Sequence, residues 1–372
     1  MKDSNGIQNI FAPTGQTSDE VRKILKILEL HPAYQSPASF WDSMSKFIRW
    51  REWADGKQGL IHAFAWLNLS LNPTLSIVPT LIALCLSTIA IMWAYLLNAT
   101  TDREEDKAVG KFHPFAGLPW FWQSFALVGI PTLLILVWYL AELDIPRGAG
   151  LFGILLCGCA YSCRPLRGKT HWLWGPALAA VGQRNCVLLL VNGWFPWDGW
   201  VQATAHLLCL LVGMRWIFVH QVQDCDADRQ AGVNTTATIL GQERMRWLVE
   251  TGFWLEVLSL IGIALLAGKS TSGVWYVVLL WLTVNAPLCR FWREWSISDR
   301  LYRTAFAPLH DLYHAIAPVV LAWHLSTFRP IALPLAALET LLAAKFISYY
   351  LNLYRAARIL PQPASSKPQT ES

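Results

Sequence analysis

Asn98-Ala99-Thr100-Thr101-Asp102-Arg103-Glu104-Glu105-Asp106 follows directly on an apolar run, and Asp224-Cys225-Asp226-Ala227-Asp228 repeats that arrangement about a third of the chain later. On a helix, four residues turn through about 400°, so Asn98, Asp102 and Asp106 share one stripe. Asp224 and Asp228 do the same, and His220 extends their stripe by a turn. Carboxylates held this close repel one another unless a cation neutralises them. The candidate ligands are all oxygens, with no paired Cys and His among them. That set suits a hard ion such as Mg2+, which completes its shell with waters and phosphate oxygens. A single D-x-x-x-D is ordinarily a solvated helix end; two copies, each closing an apolar span, point to a shared cation site.

Composition places these clusters at a membrane. Of the 372 residues 54% are hydrophobic and only 15% charged, and the mean hydropathy is +0.34, too apolar for a soluble chain of this length. Apolar spans fall at 59–73, 76–98, 119–141, 148–163, 172–193, 198–220, 246–267, 273–290, 308–326 and 331–354. Most approach the ~20 residues that cross a bilayer. Asn68 and Asn72 interrupt the first and the fourth is short, so the expected fold is an all-α polytopic membrane bundle of nine to ten transmembrane helices.

Loop charge tests that register independently. Loops on one side contain Arg103, Lys107 and Lys111; Arg164, Arg167 and Lys169; Arg229, Arg244 and Arg246; and Arg290, Arg293, Arg300 and Arg303. The alternate loops contain Arg147, Lys269 and Arg329. Basic loops stay in the cytoplasm, so this asymmetry predicts an integral, multi-pass protein with both acidic clusters on the cytoplasmic face. The net charge of +5 follows from these loops and calls for no nucleic-acid partner.

Residues 1–48 form a polar tail without the apolar core and cleavage site of a signal peptide, so the first span is expected to act as an uncleaved signal. Within the tail, Thr17-Ser18-Asp19-Glu20 reads as a capping box opening a short amphipathic helix from Val21 to Leu30, lying either on the membrane surface or on the protein. Residues 49–356 form the transmembrane domain. Residues 357–372, rich in Pro, Ser and Gln, read as a disordered tail. The eight cysteines lie in or beside apolar spans and include no C-x-x-C pair, which excludes a zinc or dithiol motif. Many of the 21 tryptophans sit at span ends as interfacial anchors. Trp93 and Trp216 fall mid-span, where an indole either packs or faces a cation.

The segments around the clusters carry a resemblance. Asp224-Cys-Asp-Ala-Asp228-Arg-Gln-Ala-Gly232-Val-Asn-Thr-Thr236-Ala-Thr-Ile-Leu-Gly241 resembles the second signature of the UbiA-type intramembrane prenyltransferases, and Asn98 to Asp106 is similar to their first. Tyr161-Ser-Cys-Arg-Pro165-Leu-Arg167-Gly-Lys169 looks like the family's intervening Tyr-Ser…Pro-Leu-Arg-x-Lys loop. The three occur in the family's order, over a core from about residue 49 to 326.

The resemblance implies Mg2+-dependent transfer of a prenyl group from a prenyl diphosphate to a lipophilic acceptor, aromatic ones included, among membrane lipids. Asn98, Asp102, Asp106, Asp224 and Asp228 would be metal ligands, the four carboxylates acting directly in catalysis. Lys111, Tyr161, Arg167 and Lys169 would bind substrate. Physical chemistry assigns the same work: a C–O bond to diphosphate breaks when cations stabilise the leaving charge, Arg by a forked grip and Lys as a point charge. Positive-inside topology alone would also put Arg167 and Lys169 here. Two alternatives remain: a terpene cyclase of the same family, in which the substrate's own alkene attacks the cation, and a carrier that kept the scaffold without turnover.

The sequence also departs from the family pattern. Ala99 stands where many members have Asp, and His113-Pro114-Phe-Ala-Gly117 replaces their Arg-Pro-Leu-x-Ser-Gly. Gln183, Arg184, Asn185 and Arg215 fall inside spans, where an unpaired charge is costly. They are expected to face the interior, Arg184 or Arg215 either touching diphosphate or acceptor or pairing internally with Glu256 or a backbone carbonyl. Asp311 and His314 read either as an acid–base pair or as a helix cap with its neighbour.

Overall fold

The computed structural model describes residues 58–103, 119–193, 199–230, 232–286 and 309–359. Among them every regular element is a helix, numbered here α1 (Gly59–Leu71), α2 (Ile77–Thr101), α3 (Trp120–Leu140), α4 (Ile145–Ser162), α5 (174–192), α6 (Gly199–Gln230), α7 (Thr236–Ala267), α8 (Gly273–Asn285), α9 (Leu312–Phe328) and α10 (Leu333–Ile359). All ten apolar segments are therefore helical. By length and composition α2, α3, α4, most of α6 and α7 can cross a membrane; the total of nine to ten crossings rests on hydropathy. The tail at 1–48 and its capping box lie outside the described residues, while α10 continues to Ile359, past the expected start of the C-terminal tail.

Helix starts follow local chemistry. Ser76 accepts a hydrogen bond from Val78 N at 3.4 Å before α2. Asp144 accepts from Arg147 N at 2.8 Å before α4, with Pro146 in the first turn. These are N-caps that satisfy donors with no partner inside the helix.

α6 packs along α7 and α5, α4 against α5 and α2, and α9 against α1 and α10. Lipid is as apolar as leucine, so such contacts depend on close fit more than on removing surface from water. Gly150 on α4 lies where a Cβ would come 2.4 Å from Leu190 N of α5, and Gly213 on α6 where one would meet Ala180 at 2.9 Å. α1 is buried nearly all round, from Leu60 to Ser70. α3 buries only Ala126 and Leu134 and shows Trp120, Val128, Tyr139 and Leu140 outward, as an outer, lipid-facing helix would.

Three helices contain a turn of π geometry, at Phe125–Gly129 in α3, Val181–Asn185 in α5 and Leu312–Ile316 in α9. Such bulges shift register and concentrate at functional places. In α3 the bulge carries Leu127, whose carbonyl accepts from Trp93 Nε1 at 3.0 Å. The mid-span Trp93 is thus a buried tie between α2 and α3.

Candidate active site

Three segments meet at one end of the bundle. α2 stops at Thr101, and Asp102 (φ −96°, ψ 5°) leaves helical geometry just after its N–H reaches Asn98 O at 3.0 Å. Asn98 and Asp102 are therefore a turn apart, as the spacing requires, but the helix does not continue regularly beneath the whole motif. Asp106 and Lys111, with His113 to Gly117, lie outside the described residues.

The second segment is the loop after α4. Cys163 turns extended and ends the helix, the Arg164–Pro165 bond is cis, and Arg167 adopts φ 36°, ψ 53°. A left-handed conformation is unfavourable for a residue with a side chain and here precedes the short 3-10 turn Gly168–Thr170. Arg167 N donates to Cys163 O at 2.7 Å and Thr170 N to Arg167 O at 3.1 Å. This fold-back aims both cations at α2. Lys169 Nζ touches Asp102 Oδ1, and Arg167 Nη2 lies 3.6 Å from the same oxygen. Burial pulls the Lys169 ammonium down to about 8, while the touching carboxylate acts in the opposite sense and favours its charged form. Ser162, the last residue of α4, donates to Asn98 Oδ1 at 3.3 Å.

The third segment is the end of α6. Asp224 and Asp228 lie one turn apart on it, with His220 Nδ1 3.2 Å from Asp224 Oδ2. The Asp228 carboxylate stands within electrostatic reach of the Tyr161 phenol. After the helix, Gly232 (φ 68°) makes the left-handed turn that lets Val233 N return to Asp228 O at 2.9 Å. Thr235 then caps α7. Gly241 (φ 79°, ψ 167°) breaks α7 near its start; only glycine takes that backbone readily. Between the cap and this break, Thr236 Oγ1 donates to Trp172 O at 2.5 Å, joining the second motif to the cationic loop.

Tyr161, Arg167 and Lys169 are thus brought to Asn98, Asp102 and Asp228, and Asp224 shares its helix with Asp228. Among the described residues, no three His, Cys, Asp or Glu side chains converge to hold a metal ion; Asp102 is drawn instead onto the loop's cations. The donor set of carboxylates and one amide nonetheless has the chemistry of a hard-cation site. Sequence reasoning missed Ser162 and Thr236. Hydroxyls at the ends of α4 and α7, inside the quoted motifs, were the available signal.

Deeper polar residues resolve differently. Arg215 pairs with Glu256, one of the expected arrangements, at 2.6 and 3.0 Å. The Asp311 carboxylate forms no side-chain cap; it accepts from Trp281 Nε1 at 3.4 Å and Asn285 Nδ2 at 2.9 Å, tying α8 to α9. His314 lies against His310, ring centres 4.5 Å apart.

Residues 60–310, more than half of the chain, match the model of the UbiA prenyltransferase family. No curated protein matches the chain significantly. Among solved structures, a UbiA homologue from Archaeoglobus fulgidus superposes with TM-score 0.50 at 14% identity, covering 76% of this chain and 98% of that one. The same homologue bound to DMAPP and Mg2+ gives TM-score 0.49 at 14% identity over 85% and 99% of the two chains. Bound to GPP and Mg2+ it gives 0.48 at 15% identity over 85% and 100%. At such identity the likeness shows the fold alone.

Proposed function

The chain belongs to the UbiA prenyltransferase family, and we propose that it transfers a prenyl group from a prenyl diphosphate to a lipophilic acceptor, with Mg2+ as cofactor. The observation that carries this reading is the loop at 163–174. It sets Lys169 and Arg167 against Asp102 of the first motif and is hydrogen-bonded through Trp172 to Thr236 of the second. These contacts link the loop to both motifs and support a shared diphosphate site.

Asn98, Asp102, Asp106, Asp224 and Asp228 would hold Mg2+, which when bound neutralises the diphosphate and stabilises the charge it gains on leaving. Arg167 would grip two phosphate oxygens in a fork and Lys169 would add a point charge. Lys111 would extend this cationic rim. The Tyr161 hydroxyl would hydrogen-bond the diphosphate, and its ring would steady the allylic cation. Apolar helix faces exclude the water that would quench such a cation. The prenyl C–O bond breaks, the electron pair leaves with diphosphate, and the acceptor supplies the pair for the new bond.

Loop charge supports placing this end of the bundle in the cytoplasm, where soluble phosphorylated substrates are found. Cysteines introduced at 164–171 should then resist an impermeant thiol reagent applied to intact cells. Labelling from outside inverts the orientation.

The deciding experiment incubates the purified chain with labelled prenyl diphosphates and Mg2+, with and without a cell lipid extract. A prenylated lipid formed only with extract is the expected product. A hydrocarbon formed without it makes the chain a cyclase, and no diphosphate release makes it a carrier.

A further inference from the structure

Inward of the motifs, α5, α6, α7 and α9 enclose a polar cluster that the reaction above does not use. Arg215 and Glu256 are wholly buried. The guanidinium spends Nε and Nη2 on the two Glu256 oxygens, and Tyr313 OH donates to Oε2 at 3.2 Å. Arg184 lies within electrostatic reach of Glu256, Tyr313 and Tyr95, the last of these one turn inward of Asn98 on α2. The cluster therefore underlies the active site instead of lying at the lipid surface. Two π turns deliver its parts, the one in α5 carrying Arg184 and the one in α9 carrying Tyr313 and His314.

Both Glu256 oxygens are engaged, yet Arg215 Nη1 and Trp216 Nε1 are buried with no hydrogen-bond partner. They belong to one cluster: Arg215 Cζ is 5.2 Å from the Trp216 ring centre, and that ring is 5.5 Å from His310. A buried donor left unmet carries its full desolvation cost, and a stabilising ion pair has no need of two. A chamber that only folds a hydrocarbon chain has no need of them either.

We propose that Arg215 and Trp216 form the acceptor subsite, receiving a hydrogen-bond-accepting oxygen of the acceptor while its nucleophilic atom faces the prenyl diphosphate. This rests on the transferase reading. The residues would select for acceptors that carry a carbonyl, hydroxyl or carboxylate oxygen at the end remote from the attacked atom.

The test titrates the full chain in detergent with naphthalene, 2-naphthol and 2-naphthoate, which share an apolar body and differ in oxygen. Wild type should bind an oxygen-bearing probe about tenfold tighter than naphthalene, the scale of one or two hydrogen bonds, one of them from a charged donor. A further preference for 2-naphthoate over 2-naphthol identifies an anionic oxygen, and equal binding a neutral one. Trp216→Phe keeps the ring and Arg215→Lys keeps a cation for Glu256, and each should shrink the oxygen preference to about twofold. The same preference in both variants, or none in wild type, overturns the subsite. Diphosphate release by wild type that depends on the cell lipid extract, assayed separately with prenyl diphosphate and Mg2+, isolates the other premise. Oxygen-selective binding without any such release overturns the transferase reading, and such release without oxygen selectivity overturns the subsite alone.

Discussion

Asp102 and Asp224 end two apolar helices in similar motifs, yet their surroundings differ. The Asp102 side chain is 16% exposed and lies under Lys169 and Arg167. The Asp224 side chain is 55% exposed and, among the described residues, meets the still more exposed His220. One carboxylate is already neutralised by its own chain, and the other stands open. Like motifs are therefore set differently: Asp102 is tied to the cationic loop by its own side chain, whereas Asp224 is not, and under the proposed function both would offer oxygens to a metal.

The largest effect that can break this contrast is loss of the carboxylates. Asp102→Ala and Asp224→Ala should each abolish Mg2+-dependent turnover. Only Asp102→Ala should also lower stability in detergent, by about 1–2 kcal/mol, because it strands a mostly buried lysine; Asp224→Ala should stay within about 0.5 kcal/mol. Near-normal turnover in either variant removes that motif from the mechanism, and equal melting shifts erase the contrast.

Next comes the loop itself. A charge that holds the leaving group gains strength as the C–O bond breaks, so Lys169→Ala should lower kcat as well as raise KM. Arg167→Lys should be costly too, on the order of tenfold in kcat/KM, since the fork is lost although the charge is kept. Unchanged constants in both would leave the loop a topological signal only.

Thr236→Val tests the join between the two halves. Losing its hydrogen bond to Trp172 O should lower kcat/KM about fivefold, the worth of roughly 1 kcal/mol, while the chain melts nearly as before. A normal rate would mean that loop and second motif act independently. The smallest change is expected for His220→Ala, less than about twofold in turnover and within ~0.5 kcal/mol in stability, because an exposed ion pair contributes little. A large loss there would make Asp224 as dependent on its neighbour as Asp102 is.

The helices were legible because a bilayer demands long apolar runs, and α1 to α10 fall where hydropathy put them. A pair with Glu256 was one of the arrangements open to Arg184 and Arg215, since a charge inside a span has few possible partners. Contacts made by loops were not legible. The fold-back of Arg167 onto Asp102 depends on a left-handed residue and on turns that periodicity does not encode. The π turns were hidden as well, since shifting a helix by one residue leaves its composition unchanged. Asp311 was misjudged as a possible cap for a related reason: its proximity to a helix start suggested local bonding, whereas its partners Trp281 and Asn285 come from the preceding helix.

Among the described residues the last helix closes on the first. Glu339 of α10, itself buried, takes His62 Nδ1 at 2.7 Å and Trp66 Nε1 at 3.1 Å from α1, across 277 residues of sequence from His62. During synthesis α1 is thus made 277 residues before the carboxylate that meets His62, so its polar groups gain this partner only when α10 arrives.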